Sequence, residues 1–208
     1  LEHVASKGKP VILSTGMSEL SELIEAVSVL NTAGCENPVL LHCVSNYPAD
    51  PAEVNLRAMQ TMRSAFDVPV GFSDHTEEID VALAAVALGA CVIEKHFTLD
   101  RTSPGPDHRA SLEPAELREM VRSIRRVETA LGSGRKVPTA REVETAKVAR
   151  RSLVAARDIP AGATLKRDMV VMRRPGTGMI PAMLDTLLNR QATRDIAAGT
   201  LLDAGMFD

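Results

Sequence analysis

The first 132 residues alternate short apolar runs with amphipathic stretches, and this alternation restricts the chain to few folds. Four apolar runs have the length of buried strands, at residues 11–15, 39–44, 68–72 and 91–97. After each run, apolar residues recur three and four positions apart, which predicts helices near residues 18–33, 56–66, 79–88 and 114–131. Ser18 is the predicted N-cap of the first helix. Four such units predict a parallel sheet with crossover helices, as in a barrel or a doubly wound sheet.

Polar residues cluster after the C-terminal end of each predicted strand, where both of these folds place their sites. The sequence contains neither a G-x-G-x-x-G pattern nor a phosphate-loop pattern, so a nucleotide-binding fold has no positive support. A complete (β/α)₈ barrel needs roughly 250 residues. Four units therefore amount to half of such a barrel.

The composition changes after Leu131. Residues 132–138 are rich in glycine and basic residues, as a linker is, and a short charged helix is predicted at 142–150. Short β-like runs follow, and the phrase D-I-P-A-G-A-T-L at 158–165 recurs as D-I-A-A-G-T-L-L at 195–202. This echo predicts a small β-rich domain with an internal two-fold repeat. We therefore divide the chain into a sheet-and-helix domain at 1–132, a linker at 133–150 and a β-rich domain at 151–208.

Charge and cysteine content narrow the functional classes. The net charge of -3 provides no basic field for nucleic acid or for an anionic membrane. No apolar run reaches the roughly 18 residues that a membrane helix requires. Three cysteines without C-x-x-C spacing predict reduced thiols and a cytoplasmic location. The chain does not start with Met, which suggests that it begins within a longer protein.

Two histidines stand at the ends of neighbouring predicted strands, and this is the strongest chemical signal in the sequence. Alternation along a strand places Ser73 and His75 on one face, and Glu94 and His96 on one face. Neutral imidazoles suit Mn²⁺, Zn²⁺ or Fe²⁺, and two protein ligands leave positions open for water and substrate oxygens. The spacing alone leaves an alternative open, in which His75 caps a helix or loop and His96 is a buried histidine bonded to Glu94.

Other polar residues are weaker candidates for a site. The segment from Ser14 to Ser18 lies between a strand and a helix, where hydroxyls and free backbone N–H groups favour an anion such as phosphate. Ser45 could add a hydroxyl to the same rim, or could simply belong to a turn. Arg174, in a turn of the β-rich domain, offers a guanidinium group to a carboxylate or phosphate, and a solvated turn is the alternative. His42 and Cys43 are expected to support the core rather than to react.

Five motifs in this order, together with an R-P-G-T-G turn at 174–178, make the whole chain resemble the sialic acid synthase family. The motifs are S-T-G-M at 14–17, L-H-C-V-S-N-Y-P at 41–48, G-F-S-D-H-T at 71–76, E-K-H-F-T at 94–98 and G-P-D-H at 105–108. The R-P-G-T-G turn is similar to the signature of that family's antifreeze-like (SAF) domain. The resemblance implies an α/β fold, with residues 1–132 forming strands 5 to 8 of a (β/α)₈ TIM barrel and residues 151–208 forming a β-clip SAF domain.

The resemblance also implies a reaction, in which phosphoenolpyruvate condenses with N-acetylmannosamine or a related N-acylated amino sugar to give a nonulosonic acid and phosphate. By this likeness His75 and His96 bind Mn²⁺, with Mg²⁺ or Co²⁺ as alternatives, and the ion polarises the sugar aldehyde. The other matching positions fall into three groups. Ser14, Ser73 and Ser45 match residues that bind phosphoenolpyruvate, although the position of Ser45 is Asn in some members. Tyr47 and Asp107 match residues that face the sugar, and Glu94 matches a residue beside the metal that assists proton transfer.

In the family, the residue matching Arg174 reaches over the site of the partner subunit in a domain-swapped homodimer. Family members begin some 130 residues earlier, so we expect this chain to be a fragment with weak or no synthase activity by itself. Three alternatives remain: a legionaminate, pseudaminate or spore-coat polysaccharide synthase of the same family, a different metal-dependent aldolase on the same barrel, and a non-catalytic sugar-binding or assembly fragment.

Overall fold

The computed structural model describes all residues from Leu1 to Asp208 and divides into two compact units, residues 1–134 and 135–208. The first unit contains one parallel sheet of four strands in sequential order: β1 (Ile12–Ser14), β2 (Val39–Cys43), β3 (Val70–Asp74) and β4 (Ile93–Lys95). All four predicted strands are confirmed, although β3 starts two residues later than the predicted run.

Helices connect and follow these strands as the apolar spacing predicts. The first unit contains α1 (Glu2–Ala5), α2 (Leu20–Thr32), α3 (Ala58–Phe66), α4 (Asp80–Ala87) and α5 (Pro114–Leu131). The predicted bounds of α5 are confirmed at both ends, because Pro114 occupies its first turn and Gly132 ends it.

The predicted N-cap of α2 at Ser18 is wrong. Glu19 is the N-cap, and it exchanges hydrogen bonds with the third helical residue, Glu22, whose Oε2 accepts from the Glu19 N–H at 2.7 Å. Ser18 is unavailable because the chain reverses at Met17, where φ is +63°, and the Ser18 hydroxyl then donates to the Gly16 carbonyl.

The sheet has two faces of different character, and one of them carries all the helices. The helix face packs residues such as Leu40, Val70 and Phe72 against α2, α3 and α4 in a buried apolar core. The opposite face, which we call the site face, carries residues 12, 14, 41, 43, 71, 73 and 94. Because every crossover lies on the same side, the unit has the layering of a barrel wall, whereas a doubly wound sheet has helices on both faces.

The second unit is built from short elements around its own core. It contains α6 (Ala140–Ala149), the antiparallel pair β5 (Ser152–Ala155) and β6 (Val170–Arg173), and α7 (Leu184–Leu187). Its core consists of small and aliphatic residues with one phenylalanine, among them Leu153, Ile159, Leu165, Ile196, Leu202 and Phe207.

In the second unit, the two copies of the repeated sequence are hydrogen-bonded to each other. The N–H of Ile159 donates to the carbonyl of Ile196 at 2.8 Å, and the reverse bond is 2.9 Å long. The Asp158 carboxylate accepts from the N–H of residue 198, and the Asp195 carboxylate accepts from the N–H of residue 161, at 2.8 and 2.7 Å. This reciprocity is what an internal two-fold repeat requires.

None of the helices combines the length and the apolar composition that a membrane-spanning segment requires.

Candidate functional site

The two histidine rings come together at the ends of β3 and β4. Their ring centres are 5.1 Å apart, and the ring planes meet at 75°. His75 is buried, and its Nδ1 lies 2.7 Å from the carbonyl oxygen of Val44, in the loop after β2. Since a carbonyl can only accept, Nδ1 of a neutral ring carries the proton and Nε2 keeps its lone pair. The loop-capping alternative for His75 is thus correct for one nitrogen, and it leaves the other nitrogen available to a ligand.

The spacing of the rings fits two imidazoles that share one ion. An ion about 2.1 Å from a ring nitrogen lies about 3.2 Å from that ring's centre, so two bound rings have centres about 4.5 to 5.2 Å apart. No group of three or more His, Cys, Asp or Glu side chains gathers at a common point, so an ion bound here would take at most two ligands from these side chains. The donor set therefore suits an ion that also binds water or substrate oxygens.

Glu94 does not bond His96, so the alternative in which His96 is a buried histidine bonded to Glu94 is wrong. Its Oε1 accepts from the hydroxyl of Ser73 at 2.7 Å and from that of Ser14 at 3.2 Å. Ser73 and Glu94 are register partners on β3 and β4, and all three side chains lie on the site face. The structure thus places two of the three predicted phosphoenolpyruvate serines, Ser14 and Ser73, around one carboxylate oxygen.

Ser45 lies against the loop that follows β1. A methyl group built on Gly16 would come within 2.0 Å of the Ser45 Oγ, so a side chain at position 16 would displace this hydroxyl. Cys43 lies beneath it, with its Sγ 4.0 Å from Ser45 Oγ and 3.7 Å from His75 Nδ1. The expectation that His42 supports the core agrees with its ring nitrogen bonding the Val54 carbonyl at 2.6 Å.

Tyr47 and Asp107 flank the histidine pair. The centre of the Tyr47 ring is 4.2 Å from that of His75 and 5.4 Å from that of His96, and Asp107 Oδ2 lies 3.9 Å from His96 Nδ1. Partial burial raises the pKa of Tyr47 above its ordinary value, and negative charge at Cys43, Asp107 and Glu94 adds to the effect. The phenol therefore stays protonated at neutral pH and can donate a hydrogen bond.

Arg174 belongs to the second unit, where it is exposed on the turn that follows β6. Its Nε donates to the carbonyl of Ala149, the last residue of α6, at 2.9 Å. Gly176 in the same turn packs so closely on α6 that an added Cβ would lie 2.6 Å from the Arg150 Cβ. Arg174 therefore lies on an exposed turn, as the solvated-turn alternative expects, and its Nε is bonded at the C-terminal end of α6.

Sequence reasoning missed two charged residues beside the histidines. Asp74 and Lys95 immediately precede His75 and His96, and their side chains form a buried ion pair on the helix face. The signal was present, because a charged residue at a helix-facing strand position has to be paired when it is buried. Only the register of β3 and β4 shows that these two residues are partners.

Comparison with known proteins covers both units. The NeuB family matches residues 1–136, and the SAF domain matches residues 150–208. An uncharacterised protein of Methanocaldococcus jannaschii is 51% identical over 195 residues, which cover 94% of this chain and 58% of that protein. The N,N'-diacetyllegionaminic acid synthase of Legionella pneumophila is 45% identical over 206 residues, with coverages of 97% and 58%.

A solved structure agrees with these relatives. The crystal structure of a spore coat polysaccharide biosynthesis protein from Bacillus subtilis matches with a TM-score of 0.60 and 35% identity, covering 100% of this chain and 63% of that one. The chain spans about three-fifths of the length of these proteins. The resemblance to sialic acid synthases is confirmed, and the chain belongs to the NeuB family with a SAF domain at its C-terminal end.

Proposed function

We propose that this chain belongs to a nonulosonic acid synthase, in which residues 1–132 form half of a (β/α)₈ barrel. The reaction would join phosphoenolpyruvate to N-acetylmannosamine or a related N-acylated amino sugar and release phosphate. Relatives with synthase names support this reaction class, and the layering of helices on one face of the sheet supports the barrel.

His75 and His96 would hold the divalent ion, with Mn²⁺ as the expected metal. The ring spacing fits a shared ion, and the Val44 carbonyl holds the His75 ring in the tautomer that leaves Nε2 free. When bound, the ion would act as a Lewis acid on the sugar aldehyde, so that carbon 3 of phosphoenolpyruvate can attack it. Neither residue has to move far, because both rings already lie side by side.

Ser14, Ser73 and Ser45 would bind phosphoenolpyruvate. The first two hydroxyls donate to Glu94 in the absence of ligand, so they are already oriented towards the centre of the site face. A hydroxyl can rotate from the Glu94 oxygen to an oxygen of the ligand without a change of backbone. Glu94, once released from one or both serines, would be free to exchange a proton with the reacting groups.

Tyr47 and Asp107 would contact the sugar, because both lie directly beside the histidine pair. The phenol of Tyr47 donates and the carboxylate of Asp107 accepts, which is the pairing that sugar hydroxyl groups use. Both residues are exposed in this structure, so a ligand can reach them.

Arg174 would act on the site of a partner subunit in a swapped homodimer. The charges of the two units support such an association: residues 1–134 carry 11 Lys and Arg against 19 Asp and Glu, whereas residues 135–208 carry 13 against 8. Opposite net charges favour association between the first unit of one subunit and the second unit of its partner. The guanidinium group of Arg174 would then be available to a carboxylate or phosphate.

The observation that carries this proposal is the close approach of the His75 and His96 rings at the strand ends that also bear Ser73 and Glu94. Phosphorus NMR of phosphoenolpyruvate tests it. Paramagnetic Mn²⁺ bound next to the ligand shortens the relaxation time of the phosphorus nucleus. We expect enhanced relaxation with the wild-type chain beyond that caused by free Mn²⁺, loss of the enhancement in His75→Ala and His96→Ala, and a weaker enhancement in Ser73→Ala.

His3→Ala is the matched histidine control, because His3 is exposed in α1 and has no part in the site. Ser28→Ala, exposed on α2, serves the same purpose for Ser73→Ala. Enhancement that persists in the two site histidine variants would contradict the proposal.

A further inference from the structure

A buried ion pair lies directly behind the histidine pair. Asp74 and Lys95 are register partners on β3 and β4, and each precedes one of the two histidines. Because successive side chains of a strand point to opposite faces, the ion pair faces the helices while the histidines face the site. The side chains of Lys95 and Asp74 are 2% and 0% exposed, and Lys95 Nζ lies 3.0 Å from Asp74 Oδ2.

The ammonium group of Lys95 is fully used by the loop that carries His75. It donates to the carboxylate of Asp74, to the carbonyl of Thr76 and to the carbonyl of Glu78, the last at 3.0 Å. An ammonium group has three protons, and here each has one acceptor. The first acceptor precedes His75 in sequence and the other two follow it, so one side chain of β4 holds both ends of this loop.

Asp74 completes the arrangement from the other side. Its Oδ1 accepts from the N–H of Thr76 at 2.9 Å and from the hydroxyl of Thr76 at 2.7 Å. The backbone on both sides of His75 is thereby closed into a tight turn around the carboxylate. We call Asp74, Lys95 and their bonds to residues 76 and 78 the brace.

Stability alone is a poor explanation for the brace. The cost of removing two charges from water largely offsets their attraction, and an apolar pair of similar size is often equally stable. An apolar side chain at position 95 could not bond the carbonyls of Thr76 and Glu78, which are oriented by this contact. What the brace supplies is a fixed path for the backbone at both strand ends.

We propose that Asp74 and Lys95 are positioning residues for the metal site. The brace fixes the path of His75 and, through the neighbouring residue, of His96, so that the two rings keep the spacing that one ion requires. Residues that orient the metal ligands affect metal affinity even though they do not contact the metal themselves. This inference rests on the metal site of the proposed function. It adds to that site the two residues that keep the histidine ligands in position.

The histidine nitrogen shifts in NMR test the brace without any metal. In the wild-type chain we expect His75 in the tautomer protonated at Nδ1, as its bond to the Val44 carbonyl requires. In Lys95→Met the loop loses the three bonds that the Lys95 ammonium group donates, and we expect the His75 signals to shift towards a mixture of tautomers. The Asp74→Asn/Lys95→Met double variant, which leaves no unpaired buried charge, should show the same change and provides the test if the single variant does not fold.

Mn²⁺ affinity, measured by the loss of the free-ion electron paramagnetic resonance signal, tests the consequence for the site. We expect Lys95→Met and the double variant to bind Mn²⁺ about 10- to 100-fold more weakly than the wild type. Met59→Ala is the matched control, since Met59 is fully buried in the core under the helix face and its truncation destabilises the fold away from the brace. This variant should bind Mn²⁺ with wild-type affinity.

The outcomes separate the two proposals. A wild-type chain that fails to bind Mn²⁺ counts against the metal site of the proposed function. Unchanged His75 shifts in the brace variants, or a loss of affinity in Met59→Ala equal to theirs, would overturn the positioning role of Asp74 and Lys95.

Discussion

Replacing Gly71 with alanine should separate β3 from β4. A Cβ at this position would lie 2.5 Å from the carbonyl oxygen of Val92, 2.6 Å from Leu41 Cδ2 and 3.0 Å from Val92 Cβ. Carbon–oxygen contacts of this kind are normally about 3.3 to 3.6 Å long, so the strand must move by about 0.8 Å or more. The same Val92 oxygen accepts the N–H of Phe72 at 2.9 Å, so this movement strains a hydrogen bond of the sheet.

We expect Gly71→Ala to lower the free energy of unfolding of the first unit by about 1 to 3 kcal/mol, the usual cost of overpacking. With a denaturant dependence of about 2 kcal/mol per molar urea, the unfolding midpoint falls by about 0.5 to 1.5 M. Tyr47 is the single tyrosine and the chain has no tryptophan, so tyrosine fluorescence follows the unfolding of the first unit selectively.

Gly205→Ala is the matched control, because Gly205 lies in the second unit and an added Cβ would meet only the side-chain oxygen of Asp203, at 3.1 Å. It should leave the Tyr47 transition unchanged. A Gly71→Ala midpoint equal to that of the wild type would refute the close approach of the three strands at this position.

Two further predictions concern titration and the internal repeat. Because the pKa of Tyr47 is raised in the folded state, its neutral form favours folding, so stability should fall as pH rises above about 10. In near-ultraviolet absorbance titrations the phenol should ionise at higher pH in the folded than in the urea-unfolded chain. Asp107→Asn should lower the folded-state pKa of Tyr47, and Asp185→Asn in the second unit should not. Asp158→Ala and Asp195→Ala should each lower the free energy of unfolding of the second unit by about 1 kcal/mol, because each removes one acceptor of a backbone N–H. Clearly unequal losses, measured by circular dichroism in urea, would contradict the symmetry of the repeat.

The elements of the first unit could be predicted because local pattern and tertiary environment agree there. Apolar runs became parallel strands, and the spacing from Pro114 to Leu131 became α5 without a change of bounds. The choice between a barrel and a doubly wound sheet could not be made from periodicity. It depends on which face of the sheet each crossover covers, and this is a property of the assembled strands.

The sequence could predict the strand ends on which the candidate site residues lie, but not the contacts that they make. Alternation predicted one face for Ser73 and His75 on their strand and one face for Glu94 and His96 on theirs, and only the register shows that Ser73 and Glu94 are partners. The sequence could not show that Ser14, 80 residues away from Glu94, would donate to the same carboxylate oxygen. Nor could it show the brace, because the pairing of Asp74 with Lys95 depends on the register between two strands.

The central claim is that His75 and His96 hold one divalent ion between them, and anomalous scattering from crystals grown with Mn²⁺ tests it directly. The account predicts one strong peak on the site face, at about 2.0 to 2.3 Å from a nitrogen of each ring, with the remaining ligands being oxygen atoms. A peak bound to other residues, or the absence of a peak between these rings at saturating Mn²⁺, would contradict it.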